Sequence, residues 1–460
     1  MAAPNVPAGG GPTRAYHLLH ALCDVADVTL VSLGSFSGGG SVSQGLASRC
    51  ARLIEPRQTA APTALKRKSR LRSWLQFAVV LAAPQRNHWL DFFHQYLQHG
   101  MPNLKLEVVP GVAGRILRTW WRNLSVFSDM PPVQTMFLAS RWKTCEPEVL
   151  ALLENREVDV LWCEESLGYW FLQNLHNRFS SLPLVVSAHN VEYVLRQRLK
   201  DTAEHETGAA YWESQVNCCR RLERTIFSRA IMTIMCSDAD AEIGRRFCPD
   251  GKFAVIGNGV DTHYFRRSDA TARQSQPIVL FTGGFGYDPN SNAVVHFCKH
   301  ILPLIRRQVP DCKFIFAGRE AERVLKQLDS RDALIDAVDS PADMRPIFEM
   351  AAVFVVPLLS GGGTRLKILE AMSMQLPVVS TTIGAEGLGC QPGEHLLIAD
   401  SHQEFAHSVI SLLRDPQQRR LLGDNARAWV CTSMDWNIHR KNLKNLLCGN
   451  ASFMAGTVEP

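Results

Sequence analysis

The stretch from Val353 to Met372 constrains this chain more than any other. It opens on an unbroken apolar run, Val353-Phe354-Val355-Val356, the pattern of a strand buried on both faces of a parallel sheet. Gly361, Gly362 and Gly363 break that run, and a helix follows with Arg365, Lys367 and Glu370 in its first turns. A second short strand, Pro377 to Thr381, comes directly after. Glycine lets backbone approach a ligand closely, and a helix start offers unpaired N–H groups and the positive end of its dipole. Two cations beside that point make an anion site, most naturally for a diphosphate. A carboxylate one or two turns further in suits hydroxyls such as those of a ribose. Together these features point to a nucleotide-sugar site.

A chain of 460 residues is too long for one core and fits two domains. With 46% hydrophobic and 20% charged residues the composition is globular, which excludes a disordered or membrane-embedded protein. A net charge of +5 with no nucleic-acid motif gives no reason to expect a nucleic-acid partner. The 13 cysteines are scattered, without a Cys-x-x-Cys array or zinc spacing, so a reducing cytoplasm is expected. Met1 to Asn5 has neither the basic start nor the apolar core of a signal peptide. The longest apolar run, Trp74 to Ala83, is about half of what a membrane-spanning helix needs.

From Val158 onward strands and helices alternate. Val158–Cys163, Leu184–Ser187, Ile231–Cys236 and Phe253–Ile256 read as strands, with helices over 169–178 and 208–228 between them. The polar segment 266–277 reads as a linker. The alternation restarts with strands at Ile278, Lys313, Val353 and Pro377 and helices over 290–307 and 320–328. The expected architecture is therefore α/β: two doubly wound domains facing across a cleft, the first over 1–265 and the second over 278–435. The remaining 436–460 forms a C-terminal helix or tail able to cross back to the first domain. Residues 55–150, basic and rich in Trp, fit less well. They form either a helical cap over the first sheet or a surface that rests on an anionic membrane or grips a lipid-linked acceptor. The five cations between Lys66 and Arg72 lie there. The glycines at 9–11 come so early that the first domain is expected to lack its opening strand.

Several segments in this order resemble the retaining family-4 glycosyltransferases of GT-B architecture, glycosyl transferases group 1, and among them bacterial exopolysaccharide-type sugar transferases. Gly9 to Leu19 is similar to the glycine loop and first helix of that family. Ala188-His189-Asn190-Val191-Glu192 is similar to its histidine loop, and Asn258-Gly259-Val260-Asp261 with Phe265 to the segment closing the first domain. Gly361 to Glu370 followed by Gly384 to Leu388 is similar to its donor site. The resemblance implies two Rossmann-like domains and transfer of a sugar, with retention, from a nucleotide-sugar donor to a lipid-linked or polysaccharide acceptor. It implies a hexosyltransferase-like enzyme in the cytoplasm, peripheral on the inner face of the plasma membrane.

By the same resemblance, His189, Arg365 and Lys367 are the catalytic candidates. Arg365 and Lys367 would stabilise the departing diphosphate, and His189 would reach across to a sugar hydroxyl. Donor-binding candidates are Gly361, Gly362, Gly363, Thr364, Glu370 and Gly284. Acceptor-side candidates are Gly10, Gly11, Arg14 and Glu192, the last being either a cleft residue or an acid suited to a helix start. Each has a plainer reading too: turn glycines, a histidine satisfied within its loop, and Lys367 pairing with Glu370 on an exposed helix face. Many members carry two glutamates eight positions apart, whereas here the earlier position is Gly362. The loop Thr282 to Asn290 lacks the family's cations, so Arg365 and Lys367 would hold the phosphates alone. No cofactor and no essential metal are expected, and Asp238 and Asp240 read as helix capping. The alternatives are a non-catalytic nucleotide- or glycan-binding subunit and a GT-B sugar-nucleotide epimerase.

Overall fold

The structure, a computed structural model, describes residues 10–31, 49–50, 52–54, 133–201, 206–268, 276–328, 332–361 and 365–449. The basic segment 64–72 and most of 55–150 lie outside the described residues, as do 1–9, on which the expectation of a missing opening strand bears.

The first domain is built on four parallel strands: β3 (Leu161–Glu164), β4 (Leu184–Ser187), β5 (Met232–Met235) and β6 (Phe253–Val255), in that spatial order. Strands β1 (Thr29–Val31) and β2 (Arg52–Ile54) form a separate parallel pair. Alternation along β4 sends its side chains to two cores. Leu184 and Val186 pack with α2 (Val133–Glu154), α3 (Tyr169–Arg178) and α5 (Glu206–Arg229), while Val185 faces α1 (Gly10–Leu22). Two more helices, α4 (Glu192–Asp201) and α6 (Asp238–Phe247), complete the domain. Ser237 caps α6, its hydroxyl accepting from the Asp240 N–H, so Asp240 serves a helix start.

The second domain is a six-stranded parallel sheet in the order β12-β11-β10-β7-β8-β9. Its strands are β7 (Ile278–Thr282), β8 (Lys313–Gly318), β9 (Ile335–Asp339), β10 (Val353–Val356), β11 (Val378–Ser380) and β12 (Leu397–Ile398). Every residue of β7, β10 and β11 is buried, as their continuous apolar runs require between two helical layers. The helices are α7 (Asp288–His296), α8 (Leu302–Arg306), α9 (Ala321–Gln327), α10 (Arg345–Met350), α11 (Leu366–Ser373), α12 (His402–Arg414) and α13 (Pro416–Ser433). A π-turn over Phe297–Ile301 separates α7 from α8, where one continuous helix is expected from the sequence. Ser401 and Glu404 form a capping box on α12.

The strand order reverses between β7 and β10, both of which start from the middle of the sheet. In open α/β sheets that reversal leaves a crevice at the carboxyl ends of the two strands, where ligands bind. The chain crosses between domains twice, and the two crossings lie side by side. Val260 bridges to Asp435, and Thr262 Oγ1 donates to Asp435 Oδ2 at 2.6 Å. Beyond the second crossing α14 (Trp436–Gly449) packs its Leu443 and Leu447 with Leu18 and Leu22 of α1. Trp436 stacks on His17 at 4.3 Å between ring centroids.

Candidate functional site

At the reversal point of the second sheet three loops converge, following β7, β8 and β10. Gly318 ends β8 at φ +139°, and a Cβ there would lie 2.0 Å from the Gly283 carbonyl oxygen, so the two loops touch backbone to backbone. Lys367, in the first turn of α11, enters this junction. Its Nζ lies 4.2 Å from the centroid of Phe281 and donates to Asn290 Oδ1 at 2.7 Å. No ion pair joins Lys367 to Glu370 among the described residues, so the exposed i,i+3 pair does not form. A Cβ on Gly283 would fall 2.9 Å from Lys367 Nζ and 2.8 Å from Asn290 Nδ2. The glycine required for close approach is thus Gly283, whereas Gly284, the residue the sequence singles out, has its nearest neighbour at 3.8 Å. That neighbour is Arg319 Nη2, a third cation at this edge that the sequence reading passed over because its strand, β8, lies next to β7 only in space.

Burial pushes the Lys367 ammonium down to about 7, helped by repulsion from Arg365 and opposed by Glu370. Burial likewise lifts the Glu370 carboxyl to about 7, offset in part by Lys367. Arg365 caps the start of α11 and is 8% exposed, with Nη2 3.4 Å from the Ile383 carbonyl. Burial also lowers its pKa, modulated by charges from both domains: Tyr287, Glu386, Arg198 and Asp240. Arg365 therefore faces the gap between domains. Gly361, at φ +134°, lies against it, since a Cβ there would be 3.0 Å from Arg365 Nη2. Gly362, Gly363 and Thr364 lie outside the described residues.

Across the gap, His189 follows β4 and is held between two carboxylates. Its Nε2 lies 2.6 Å from Glu164 Oε1 and its Nδ1 3.2 Å from Glu165 Oε1. Glu164 also accepts from Trp162 Nε1 at 2.9 Å and Ser187 Oγ at 3.1 Å. Burial alone would lower the imidazole pKa, but hydrogen bonds and charge from Glu164 and Glu165 raise it to about 9, so His189 is an imidazolium at neutral pH. Glu165 sits at φ +67°, a conformation non-glycine residues adopt at a cost and usually at working sites. The two glutamates end a buried strand at the cleft edge, and that position is the signal that could have found them.

The acceptor-side residues fare differently. Arg14 is fully buried, its Nη1 donating to the Ile256 carbonyl at 2.7 Å and to Asn258 Oδ1 at 3.0 Å. It ties α1 to the end of β6 and offers no surface to an acceptor in this structure, which corrects that expectation: its burial is made tolerable by the carbonyl and amide oxygens that Nη1 reaches. Gly10 and Gly11 form the first turn of α1, so the expected glycine loop is already helical there. Glu192 opens α4 and pairs with Arg196 at 2.9 Å, so it is engaged within its own helix. Glu223, which the sequence does not single out, accepts from the backbone N–H groups of Glu192 and Tyr193 at 2.8 and 3.0 Å and fixes the start of α4. Burial lifts its carboxyl to about 8.

The two edges meet in a crevice lined by Asn190, Val194, Arg198 and Asp240 of the first domain and Glu386 and Gly387 of the second. Among the described residues no three His, Cys, Asp or Glu side chains are grouped to hold a metal ion. The same residues include no helix long and apolar enough to cross a membrane.

Residues 276–415 match the family model described as "Glycosyl transferases group 1". An uncharacterized 44.6 kDa protein in the cps region of Klebsiella pneumoniae is 29% identical over 320 residues, 68% of this chain and 78% of that protein. Among solved structures, sucrose-phosphate synthase from Thermosynechococcus elongatus superposes with a TM-score of 0.54 at 18% identity, covering 69% of this chain and 79% of that one. Anabaena HepE in complex with UDP and glucose gives 0.52 at 14% identity, covering 66% and 81%. With its two parallel sheets and these superpositions, the chain has the GT-B fold, and the second of its two sheets lies largely within the residues that match the glycosyl transferases group 1 model.

Proposed function

We propose that this protein transfers a sugar from a nucleotide-sugar donor to a lipid-linked or polysaccharide acceptor, with retention of anomeric configuration. The observation that carries the reading is the placement of Arg365 and Lys367. They stand at the start of α11, beside the reversal point of a Rossmann-ordered sheet, Lys367 buried where the loops after β7 and β8 meet and Arg365 near charges of both domains. The leaving diphosphate gains negative charge as the glycosidic bond lengthens, and preorganised donors in a partly dry cleft stabilise that charge strongly. Lys367 is held ready by Asn290 and takes up a full proton as the anion arrives. Arg319 supplies a third cation near Gly284. Glu370 accepts from the ribose hydroxyls.

From the first domain, His189 turns its Nδ1–H from Glu165 to a sugar hydroxyl while Glu164 keeps its Nε2–H, and the half-exposed Glu165 so released receives an acceptor hydroxyl. HepE, of the same fold, is found in complex with UDP and glucose, and the cps-region relative supports a role in polysaccharide assembly. The work belongs on the cytoplasmic side, where nucleotide sugars are made, with peripheral contact to an anionic membrane through the segment 55–150.

One observation favours a second reading. Glu164 and Glu165 about His189 form an acidic pair in the cleft, which a sugar-nucleotide epimerase of this fold needs. A panel of nucleotide sugars incubated with membrane extract decides between them. Transfer predicts acceptor-dependent release of nucleoside diphosphate that the double variant Arg365→Ala/Lys367→Ala loses. An isomerised donor without acceptor points to the epimerase. Nucleotide binding with no turnover of any donor overturns both.

A further inference from the structure

Arg198 lies on α4 of the first domain, in the middle of the crevice, and reaches two separate loops of the second. Its Nη1 and Nη2 donate to Glu386 Oε2 and Oε1 at 2.6 and 2.7 Å, a bidentate fork, and Nη1 also donates to the Gly361 carbonyl at 2.9 Å. Gly361 follows β10 and Glu386 follows β11, so one side chain ties the segments beyond two neighbouring strands to the facing domain. Resting on the donor-site reading above, we propose that Arg198 is a positioning residue for the donor diphosphate, holding the Gly361 carbonyl and neutralising Glu386 at the mouth of the anion site.

Two physical effects make this more than an interdomain contact. Gly361 has the backbone freedom of glycine, and its carbonyl, if not held, can turn a partial negative charge toward an incoming anion. Glu386 acts electrostatically on Arg365 and is itself only about one-third exposed, its side chain being 37% accessible. Without its guanidinium partner that carboxylate would compete with the diphosphate for Arg365 and repel it. The fork removes both penalties, and it does so only when the two domains are together. Closure of the cleft is thereby coupled to readiness of the anion site, although Arg198 itself touches no reacting atom.

The test is equilibrium binding of UDP, GDP and ADP to the full chain, with the matching nucleosides as controls. Arg198→Ala should weaken the best-bound diphosphate about tenfold, the size expected for loss of charge-assisted hydrogen bonds, and leave the nucleoside unchanged. Arg198→Ala/Glu386→Gln should return to within about threefold of wild type, because the uncompensated carboxylate has gone. Glu386→Gln alone should bind the diphosphate at least as well as wild type. Equal losses for diphosphate and nucleoside, or no recovery in the double variant, overturn the inference. Unchanged diphosphate binding in Arg198→Ala, with wild type binding well, overturns the inference alone. Wild-type protein that binds none of the three overturns the donor-site reading and this inference together.

Discussion

The two sheet edges that face each other across the crevice treat charge in opposite ways. On the first domain's edge the cation, His189, is answered by carboxylates on both ring nitrogens, and the cluster raises its pKa to about 9. On the second domain's edge Lys367 is answered by an amide oxygen and an aromatic face, and its pKa falls to about 7. The first edge is complete without a ligand. The second leaves a desolvated ammonium whose charge a bound anion would restore. The difference teaches which side is suited to take an anion: the side where protonation is still unfavourable.

The comparison breaks most visibly if the two edges are disabled in turn. Arg365→Ala/Lys367→Ala should cost about 4 kcal/mol of transition-state stabilisation, roughly a thousandfold in turnover, against about 10- to 100-fold for His189→Ala. Steady-state rates of nucleotide release measure both, and equal losses would erase the distinction.

Next comes stability against pH. The raised His189 pKa means its contribution is fully present below the unfolded value of 6.5 and lost as pH rises through about 9. That contribution is about 3 kcal/mol at most. The difference in thermal unfolding between wild type and His189→Gln should therefore shrink from pH 6 to pH 9.5. A constant difference means that the imidazole is not charged in the folded state.

For the second edge the pKa is lowered rather than raised, and the readout is binding. A lowered Lys367 pKa leaves the ligand-free protein short of a proton above about 7, so diphosphate affinity should fall with rising pH, by up to about tenfold per unit. Glu370 ionises in the same range and acts in the same direction. Titration calorimetry between pH 6 and 9 should show that slope in wild type and a flatter one in Lys367→Met.

The smallest effect separates two neighbouring glycines. Gly284→Ala should change diphosphate affinity and stability by no more than about 0.5 kcal/mol, whereas Gly283→Ala should displace Lys367 and weaken binding about tenfold. Thermal unfolding alongside the binding measurement checks the pair.

Much of the second domain was legible in the order of residues. The apolar runs at Ile278, Lys313, Val353 and Pro377 stand at β7, β8, β10 and β11 because buried parallel strands need unbroken hydrophobic faces. Strands β9 and β12 escaped notice: β9, Ile-Asp-Ala-Val-Asp, is a half-exposed edge strand, and β12 has only two residues. Neither leaves an apolar run to read. Arg365, Lys367 and Glu370 could be chosen because they are near neighbours on one short element. Arg319 and Arg198 could not, since each meets its neighbours from a distant strand or from the other domain, and the roles of Glu164 and Glu386 emerge only once His189 and Arg198 are laid against them. Arg14 misled for the converse reason: a basic residue beside glycines looks exposed until β6 is laid against its helix.

Local chemistry therefore determined the kind of element and the kind of ligand the site would suit: buried strand, glycine turn, cationic helix start, anion. Those follow from backbone freedom, helix dipole and side-chain charge within a few consecutive residues. Only the tertiary structure decided which cations keep a proton and which loops share a single guanidinium. Proton affinity depends on burial and on charges brought in from far along the chain, and no local pattern encodes either.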